Sequence, residues 1–382
     1  MMTGWRFSLR VGVVALAVIT AGGIGVRTGV AVSTAAPGWR LAVEVHQTKF
    51  GSLLAVTAIS ARNAWAGGCG QASPSVPGPN PVPIPTRPVI THYWHGSWKA
   101  ARLPATLHGC VTSIEASSAG NVWAIGSSMN RKFQLSNFAL TLRHGRWVVA
   151  RWWGPGATKS SRAVGAAVLS KSNVWVFWQD GVAEHFGGAS WHRSKIALPF
   201  PDRELQAAAA DPGGGVWVLT GEFYVMRLQV TGGHIGWKAE SLPGARDNDD
   251  LAGIYAQSPK SIWVTGGGQH FVHGHWVWVP LIEHWSAGAW HHVTARGAAT
   301  LASVTSDGSG GLWLATQSGP AGLTPIVRYA HGRLAPVHIA SGGKTIVAQA
   351  LSSIPGSHSA WGVGDLNHGT EDLTGVILKY SP

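Results

Sequence analysis

Acidic side chains are scarce in this chain. It has 17 Asp and Glu against 29 Lys and Arg in 382 residues, so only 12% of the residues are charged and the formal net charge is +12. The positive balance favours contact with anionic polymers or membranes. No dense run of Lys and Arg marks a binding segment, and an excess that serves solubility alone is the competing interpretation. The hydrophobic fraction of 45% is normal for a packed core.

Cysteine is nearly absent as well. Cys69 and Cys110 are the only two, and two thiols are too few for a zinc site. In an exported protein an isolated pair predicts a disulfide, because the compartment is oxidising. A redox or catalytic thiol is the alternative.

A helical pattern is also missing. No window shows a sustained apolar period of 3.6 residues with polar residues filling the other face. The chain has instead 51 Gly and 21 Trp. Strands favour aromatic residues and tight turns need glycine, so the composition predicts an all-β fold.

The only long apolar run lies near the N-terminus. Arg6 and Arg10 precede "VGVVALAVITAGGIGV", residues 11–26, and small residues follow. This order is typical of a secretory signal, and the run is shorter than the ~20 residues that span a bilayer. Residues 1–36 are predicted to be a signal peptide or an N-terminal signal anchor, with a buried core segment as the third alternative. The protein is therefore expected to be secreted or extracytoplasmic.

One short motif recurs along the rest of the chain. A turn, an aliphatic residue and a tryptophan return at intervals of about 50 residues. The tryptophans are Trp65, Trp123, Trp175, Trp217, Trp263, Trp313 and Trp361. A second apolar run follows most of them and ends in a hairpin turn with glycine, as in "LTLRHGRW" and "IEHWSAGAW". Each repeat therefore predicts four short strands.

Four-stranded units repeated in this way predict a single seven-bladed β-propeller over residues 37–382. Small residues stand ten positions before most of the repeat tryptophans, which suits a first strand at the crowded axis, and the tryptophans are expected to pack between blades. The last repeat lacks a fourth strand. Residues 37–45, "PGWRLAVEV", are predicted to supply it and to close the ring, which removes exposed edges.

The lines "NVWAIG … LRHGRW" and "SIWVTGG … IEHWSAGAW" resemble secreted bacterial β-propeller repeats of the pattern "vWavG…hwdGtsW", loosely related to kelch, WD and BNR/YVTN-type propellers. The resemblance covers about residues 37–382 and implies the fold. The functions of such proteins are too diverse for any site residue to be carried over. The Ser-x-Asp-x-Gly-x-Thr-Trp box of sialidase blades is absent, which argues against a glycosidase.

The long loops and the blade connections are predicted to share one face, and this face is the candidate binding site. It carries the segments 69–88, 222–224, 246–250 and 267–278. Both cysteines are placed there, with Cys69 opening the Pro-rich loop and Cys110 in the connection to blade two. The candidate ligand-binding residues are Tyr224, Asp247, Asp249, Asp250, His273, His275, Trp276 and Trp278.

Each cluster also has a simpler interpretation. The run "RDNDD", residues 246–250, could hold calcium but is more typical of a solvated turn. His273 and His275 would share one face of an extended segment and could bind zinc or copper, whereas exposed loop histidines without function are commoner. The aromatic side chains could stack on sugar rings or could serve packing alone. No cofactor or resident metal is predicted.

Enzyme chemistry needs titratable groups that converge. Glu115 is the clear carboxylate on an axial strand, with Tyr255 and Gln349 as its notable polar companions. No common catalytic motif is present. The sequence therefore favours a monomeric, non-catalytic binding or scaffolding protein at the cell surface, with a cell-wall polymer, glycan or envelope protein as partner and no nucleic acid. Contact with a membrane is expected only through residues 1–36, if they stay uncleaved. A polysaccharide-active hydrolase or lyase with its site at the axis is the alternative.

Overall fold

A computed structural model of the chain describes residues 37–45, 51–73, 84–130, 132, 134–155, 161–199, 204–221, 223–232, 234–319, 324–367 and 373–382. The regular elements in these residues are all β-strands, and no helix long and apolar enough to cross a membrane occurs among them. The predicted signal or anchor, residues 1–36, lies outside the described residues.

The strands form seven sheets, one for each blade. Blade one contains β2 (Leu53–Ser60), β3 (Asn63–Ser73), β4 (Ile84–Trp94) and β5 (Ser97–Ala100). Blade two contains β6 (Cys110–Ser118), β7 (Asn121–Met129), β8 (Leu135–Arg143) and β9 (Arg146–Trp153). Blade three contains β10 (Ala163–Ser170), β11 (Asn173–Trp178), β12 (Val182–Phe186) and β13 (Trp191–Lys195). Blade four contains β14 (Leu205–Ala210), β15 (Val216–Thr220), β16 (Tyr224–Thr231) and β17 (His234–Ser241).

The remaining blades follow the same plan. Blade five contains β18 (Asp249–Ser258), β19 (Ser261–Val272), β20 (His275–Ser286) and β21 (Ala289–His292). Blade six contains β22 (Thr300–Ser306), β23 (Leu312–Ser318), β24 (Ile326–Ala330) and β25 (Arg333–Pro336). Blade seven contains β27 (Ile346–Ser353), β28 (Ala360–Asn367), β29 (Leu373–Ser381) and β1 (Gly38–Val45), with the short β26 (Ile339–Ala340) beside β1. The prediction of an all-β, seven-bladed propeller is confirmed.

The ring closes through the N-terminal strand, as predicted. β1 runs antiparallel to β29, with Gly38 opposite Ser381 and Val45 opposite Gly375. Trp39 is buried beside Tyr380 and Trp313. The parallel pairing of β26 with β1 was not predicted. It covers part of the free edge that β1 would otherwise present to solvent.

The first strand of each blade faces the axis and has a β-bulge at the same place. The register shifts in every first strand, and the residue that follows the shift is small. These residues are Ala55, Ser113, Gly165, Ala207, Gly253, Ser303 and Ala350. A bulge bends a strand and increases its twist, and a Cβ added to Gly253 would lie 2.6 Å from the carbonyl oxygen of Ala302 in the next blade.

The hydrophobic core lies between neighbouring blades. A repeat tryptophan on the second strand of one blade contacts an aromatic residue on the outermost strand of the next. The pairs are Trp65 with Trp147, Trp123 with Trp191, Trp175 with Trp237, Trp217 with Trp290, Trp313 with Trp39 and Trp361 with Trp98. Between blades five and six, Trp263 and Leu334 pack against one core cluster instead. The expected packing between blades is confirmed.

Candidate functional site

The two faces of the ring differ in the lengths of their connections. The short-turn face carries the turns between the first and second and between the third and fourth strands of each blade, such as 61–62 and 144–145. The long-loop face carries the loops between the second and third strands and the connections between blades. All eight predicted ligand-binding residues lie on or beside the long-loop face: Asp247 is in a connection between blades, His273 is in the turn of a hairpin, and the other six are near that end of their strands.

Blades one and two are joined on the long-loop face by the disulfide between Cys69 and Cys110, whose Cα atoms are 4.4 Å apart. The predicted pairing is confirmed, but its setting differs from the prediction. Cys69 lies inside β3 and Cys110 begins β6, so both are strand residues. The Pro-rich segment 69–88 is a hairpin at its base rather than a loop throughout, since β3 continues to Ser73 and β4 begins at Ile84. Proline is tolerated there because these strands form a free ribbon edge.

Blade five carries a hairpin that projects from the long-loop face. β19 and β20 remain paired out to Val272 and His275, whereas β18 leaves β19 at Gly268. Residues 269–278 therefore form a two-stranded ribbon beyond the four-stranded sheet. His273 and Gly274 make the turn with φ of 51° and 87°, which is typical of a type I′ turn. The condition under which His273 and His275 would share one face, an extended segment, is not met, because the chain reverses at His273.

An exposed aromatic pair occupies one side of this ribbon. Phe271 and Trp276 lie directly opposite each other, with ring centroids 5.6 Å apart. They remain 63% and 60% exposed. Trp278 lies on the same side, opposite Gln269, and is half-buried. Of the predicted aromatic residues, Trp276 and Trp278 thus come together, and Phe271 completes the surface.

The base of the ribbon is fixed by a buried carboxylate. Asp249 is 4% exposed, and its Oδ1 lies 2.8 Å from Nε2 of His270 on the other side of the ribbon. Its Oδ2 accepts the backbone N–H of Arg246. Both oxygens of Asp249 are therefore engaged by protein donors.

The other predicted polar residues do not converge with Asp249. Asp247 and Asp250 are exposed, and Tyr224 is half-buried at the start of β16. The imidazole of His275 bonds the carbonyl oxygen of His273. Within the described residues, no three His, Cys, Asp or Glu side chains are grouped so that they could hold a metal ion.

A second histidine–carboxylate pair lies nearby and was missed from the sequence. The carboxylate of Glu283 is fully buried, lies 2.8 Å from Nδ1 of His292 and accepts the N–H of Gly244 in the connection between blades four and five. Burial raises the pKa of Glu283, and the charge of Asp249 acts in the same direction. Glu283 and Asp249 therefore bind the backbone N–H groups of Gly244 and Arg246 in the connection between blades four and five.

The axis of the ring is an open channel of about 1020 Å³. Its wall is made of the first strands, and most side chains there are small, including the hydroxyls of Ser113, Ser303 and Ser352. Glu115 lines this wall and is half-buried by its solvent exposure, and the protein packed around it raises the pKa of its carboxyl to about 8. Tyr255 also lines the channel and bonds Ser353. The predicted companion Gln349 does not line it; its amide lies 3.4 Å from the carboxylate of Asp365.

No protein-family model and no curated protein sequence matches the chain. Solved structures match it in fold. A streptogramin B lyase is 12% identical, with a TM-score of 0.57 over 90% of this chain and 98% of that one. A catalytically inactive virginiamycin B lyase from Staphylococcus aureus with quinupristin is 12% identical, with a TM-score of 0.59 over 90% of this chain and 100% of that one. YCF48 from Cyanidioschyzon merolae is 13% identical, with a TM-score of 0.54 over 90% and 99%.

The chain has a β-propeller fold. At these identities the similarity shows the fold alone. It supports the propeller fold that the sequence repeats imply, but not the specific repeat motif.

Proposed function

We propose that the protein acts outside the cytoplasm as a non-catalytic binding ring, with the long-loop face as its ligand surface. The observation that carries the proposal is the aromatic pair on the blade-five ribbon, where Phe271 and Trp276 are the most exposed aromatic residues of the described chain. Exposed aromatic rings held on a rigid scaffold are typical of binding surfaces.

The surroundings of the pair support this function. An isolated hairpin has only marginal stability in water. Here the ribbon continues a four-stranded sheet, and its base is held by the Asp249–His270 contact of 2.8 Å. The aromatic rings are thus presented in one orientation, which lowers the entropy cost of binding. Flat aromatic side chains suit a sugar ring or an apolar segment of an envelope protein, so cell-wall polymers and glycans are the ligands we favour.

An extracytoplasmic location is part of the same proposal. The disulfide between Cys69 and Cys110 fits an oxidising compartment. The basic and apolar order of residues 1–36 supports export, either as a cleaved signal or as a retained anchor.

The axial channel supports a second candidate function, an enzyme acting on a polysaccharide. Glu115 would keep its proton at neutral pH because burial raises its pKa to about 8, as a general acid requires. The lyases named above have the same fold, so the scaffold is compatible with catalysis. The binding function is favoured because no second carboxylate is free beside Glu115 in the channel wall as described: Asp211, the other one there, accepts three turn and indole hydrogen bonds.

A pull-down against immobilised peptidoglycan, cell-wall polysaccharides and an envelope-protein extract separates the two functions. We expect Phe271→Ser with Trp276→Ser to lower retention at least tenfold, on the order of the ~1.4 kcal/mol that a stacked aromatic contributes. Trp94→Ser is the control, because Trp94 is also exposed but ends β4 at the short-turn face. Turnover of any of these polymers that disappears with Glu115→Gln would establish the enzyme instead.

A further inference from the structure

Charge is distributed unevenly between the two faces of the ring. Six exposed cations stand in or directly beside the turns of the short-turn face, in five of the seven blades. They are Arg62, Arg143, Arg146, Lys171, Lys260 and Arg333. Within the described residues none of the six forms an ion pair with a carboxylate.

The same turns offer almost no exposed negative charge. Their only carboxylates are Asp211 and Asp307, and both are buried. Asp211 accepts two turn amides and the indole N–H of Trp217, and Asp307 accepts two turn amides and the guanidinium of Arg328. Exposed carboxylates among the described residues lie towards the long-loop face instead, including Asp180, Glu204, Asp247 and Asp250.

Apolar side chains stand among these cations. Trp94, directly before the turn 95–96, is 49% exposed. Val230 and Ile235 face each other near the tip of the hairpin formed by β16 and β17, and they are 66% and 50% exposed. Tryptophan and aliphatic tips beside Lys and Arg are typical of surfaces that enter the interface of a bilayer.

The chain enters the ring at this face. β1 begins at Gly38, opposite Ser381, at the end of blade seven that carries the short turns. The sequence upstream of Pro37 contains the apolar run of residues 11–26. Pro37, where the described part of the chain begins, therefore lies on the side of the six cations.

We infer that the short-turn face docks on an anionic lipid bilayer. Its cations lie against the headgroups, where the negative surface potential attracts Lys and Arg, and Trp94, Val230 and Ile235 enter the interface. A soluble anionic polymer would use the cations but not the apolar tips or the point of chain entry, so lipid is the occupant these features favour. Docked in this way, the ring turns its long-loop face away from the membrane. The inference concerns the opposite face from the proposed ligand surface and stands independently of it.

Flotation of the full chain with vesicles tests the inference. The vesicles contain either phosphatidylcholine alone or equal parts of phosphatidylglycerol and phosphatidylcholine. The test variant carries serine at the six turn cations. The control variant carries serine at six exposed cations near the long-loop face, Arg87, Arg102, Lys132, Arg162, Lys195 and Arg246. The two variants have the same net charge and the same N-terminal segment, so a difference between them reports the face alone.

We expect the wild type to prefer the anionic vesicles, the test variant to lose at least about tenfold in apparent affinity for them, and the control variant to lose clearly less. Added salt should weaken the wild-type preference, because it screens exposed charges. If both variants lose the same apparent affinity for anionic vesicles, net charge alone explains the binding and the inference is overturned. Retention on dextran sulfate beads without any preference for anionic vesicles would overturn it in favour of a polymer. Circular dichroism of each variant checks that the ring is folded.

Discussion

Six of the seven repeat tryptophans are buried, and Trp263 is half-buried. In all but Trp123, one face of the indole is covered by a basic or imidazole side chain of the third strand. Imidazoles cover three of them: His92 on Trp65 at 3.7 Å, His185 on Trp175 at 4.2 Å and His284 on Trp263 at 3.7 Å between ring centroids. Cations take the same place elsewhere: Arg227 over Trp217, Arg328 over Trp313 and Lys379 over Trp361. Burial lowers the pKa of the three histidines, so they stack as neutral rings.

Glu115 gives the sharpest prediction at the scale of one residue. Its pKa rises from 4.5 to about 8 on folding. Between these values the folded protein holds a proton that the unfolded chain releases, so this group makes the protein less stable as pH rises through the window. Glutamine has the same shape and is always neutral. We therefore expect Glu115→Gln to match the wild type below pH 4.5 and to be increasingly more stable up to pH 8, as measured by urea denaturation.

The exposed Asp250 provides the control for this experiment. Asp250→Asn should leave the difference from wild type nearly constant over the same pH range. A stability difference between Glu115→Gln and wild type that does not grow between pH 4.5 and pH 8 would contradict the burial argument, because it would mean that folding does not raise the pKa of the carboxyl.

The elements were largely predictable because each one repeats. Seven tryptophans at similar spacing predicted the number of blades. The hairpin turns with a His-Gly dipeptide predicted the number of strands in each blade. The incomplete last repeat also predicted that residues 37–45 would close the ring, as the pairing of Trp39 with Tyr380 confirms. The bulges and the Asp249–His270 contact were not predicted. They depend on the register between strands, and hydrophobic alternation defines register only where one face of the strand is polar.

The blade-five ribbon shows why the candidate site was harder to predict from the sequence than the fold. His273 was singled out as a candidate ligand, yet it holds the positive-φ turn position that His95, His144 and His331 hold in other hairpins. Asn, Asp and His are favoured in this conformation, so its position in the turn explains its identity. The recurring dipeptide HG was the signal that could have revealed this.

Contacts between blades give a prediction at the scale of the element. Trp290 is buried against Trp217 and Trp285, whereas blade six has Leu334 at the corresponding place on β25. We expect Trp290→Ala to cost about 3–5 kcal/mol of unfolding free energy, as large core deletions do, and Trp290→Leu to cost clearly less. Chemical denaturation measures both. Trp152→Ala, on the exposed outer strand of blade two, should cost little; equal losses from Trp290→Leu and Trp290→Ala would contradict the equivalence of the two positions.

At the scale of the whole ring, the two faces differ in shape and charge. The blade-one and blade-five hairpins and the exposed carboxylates lie on the long-loop face, whereas the described turns of the short-turn face carry six exposed cations without an exposed carboxylate, and β1 starts there. The second and third strands of most blades are long enough to present loops outward, while the turns at the other end are kept to a few residues. This asymmetry gives the two proposals separate surfaces, one for a ligand and one for a membrane.

Ring closure yields the prediction at this scale. The outermost strand of blade seven, β1, comes from the N-terminal part of the chain. The first residue of β1 lies next to the last residue of its partner β29, since Gly38 is opposite Ser381. A circular rearrangement can therefore move residues 38–45 to follow Ser381 through a two-residue Asn-Gly turn that takes the place of Pro382 and Pro37, the connection that antiparallel strands favour. We expect this rearranged ring to unfold close to the wild-type urea midpoint. Deletion of residues 37–45 without their return should lower the midpoint strongly, because Trp39 and the whole pairing with β29 are lost and an edge opens. A deletion variant as stable as the rearranged one would show that blade seven does not need β1.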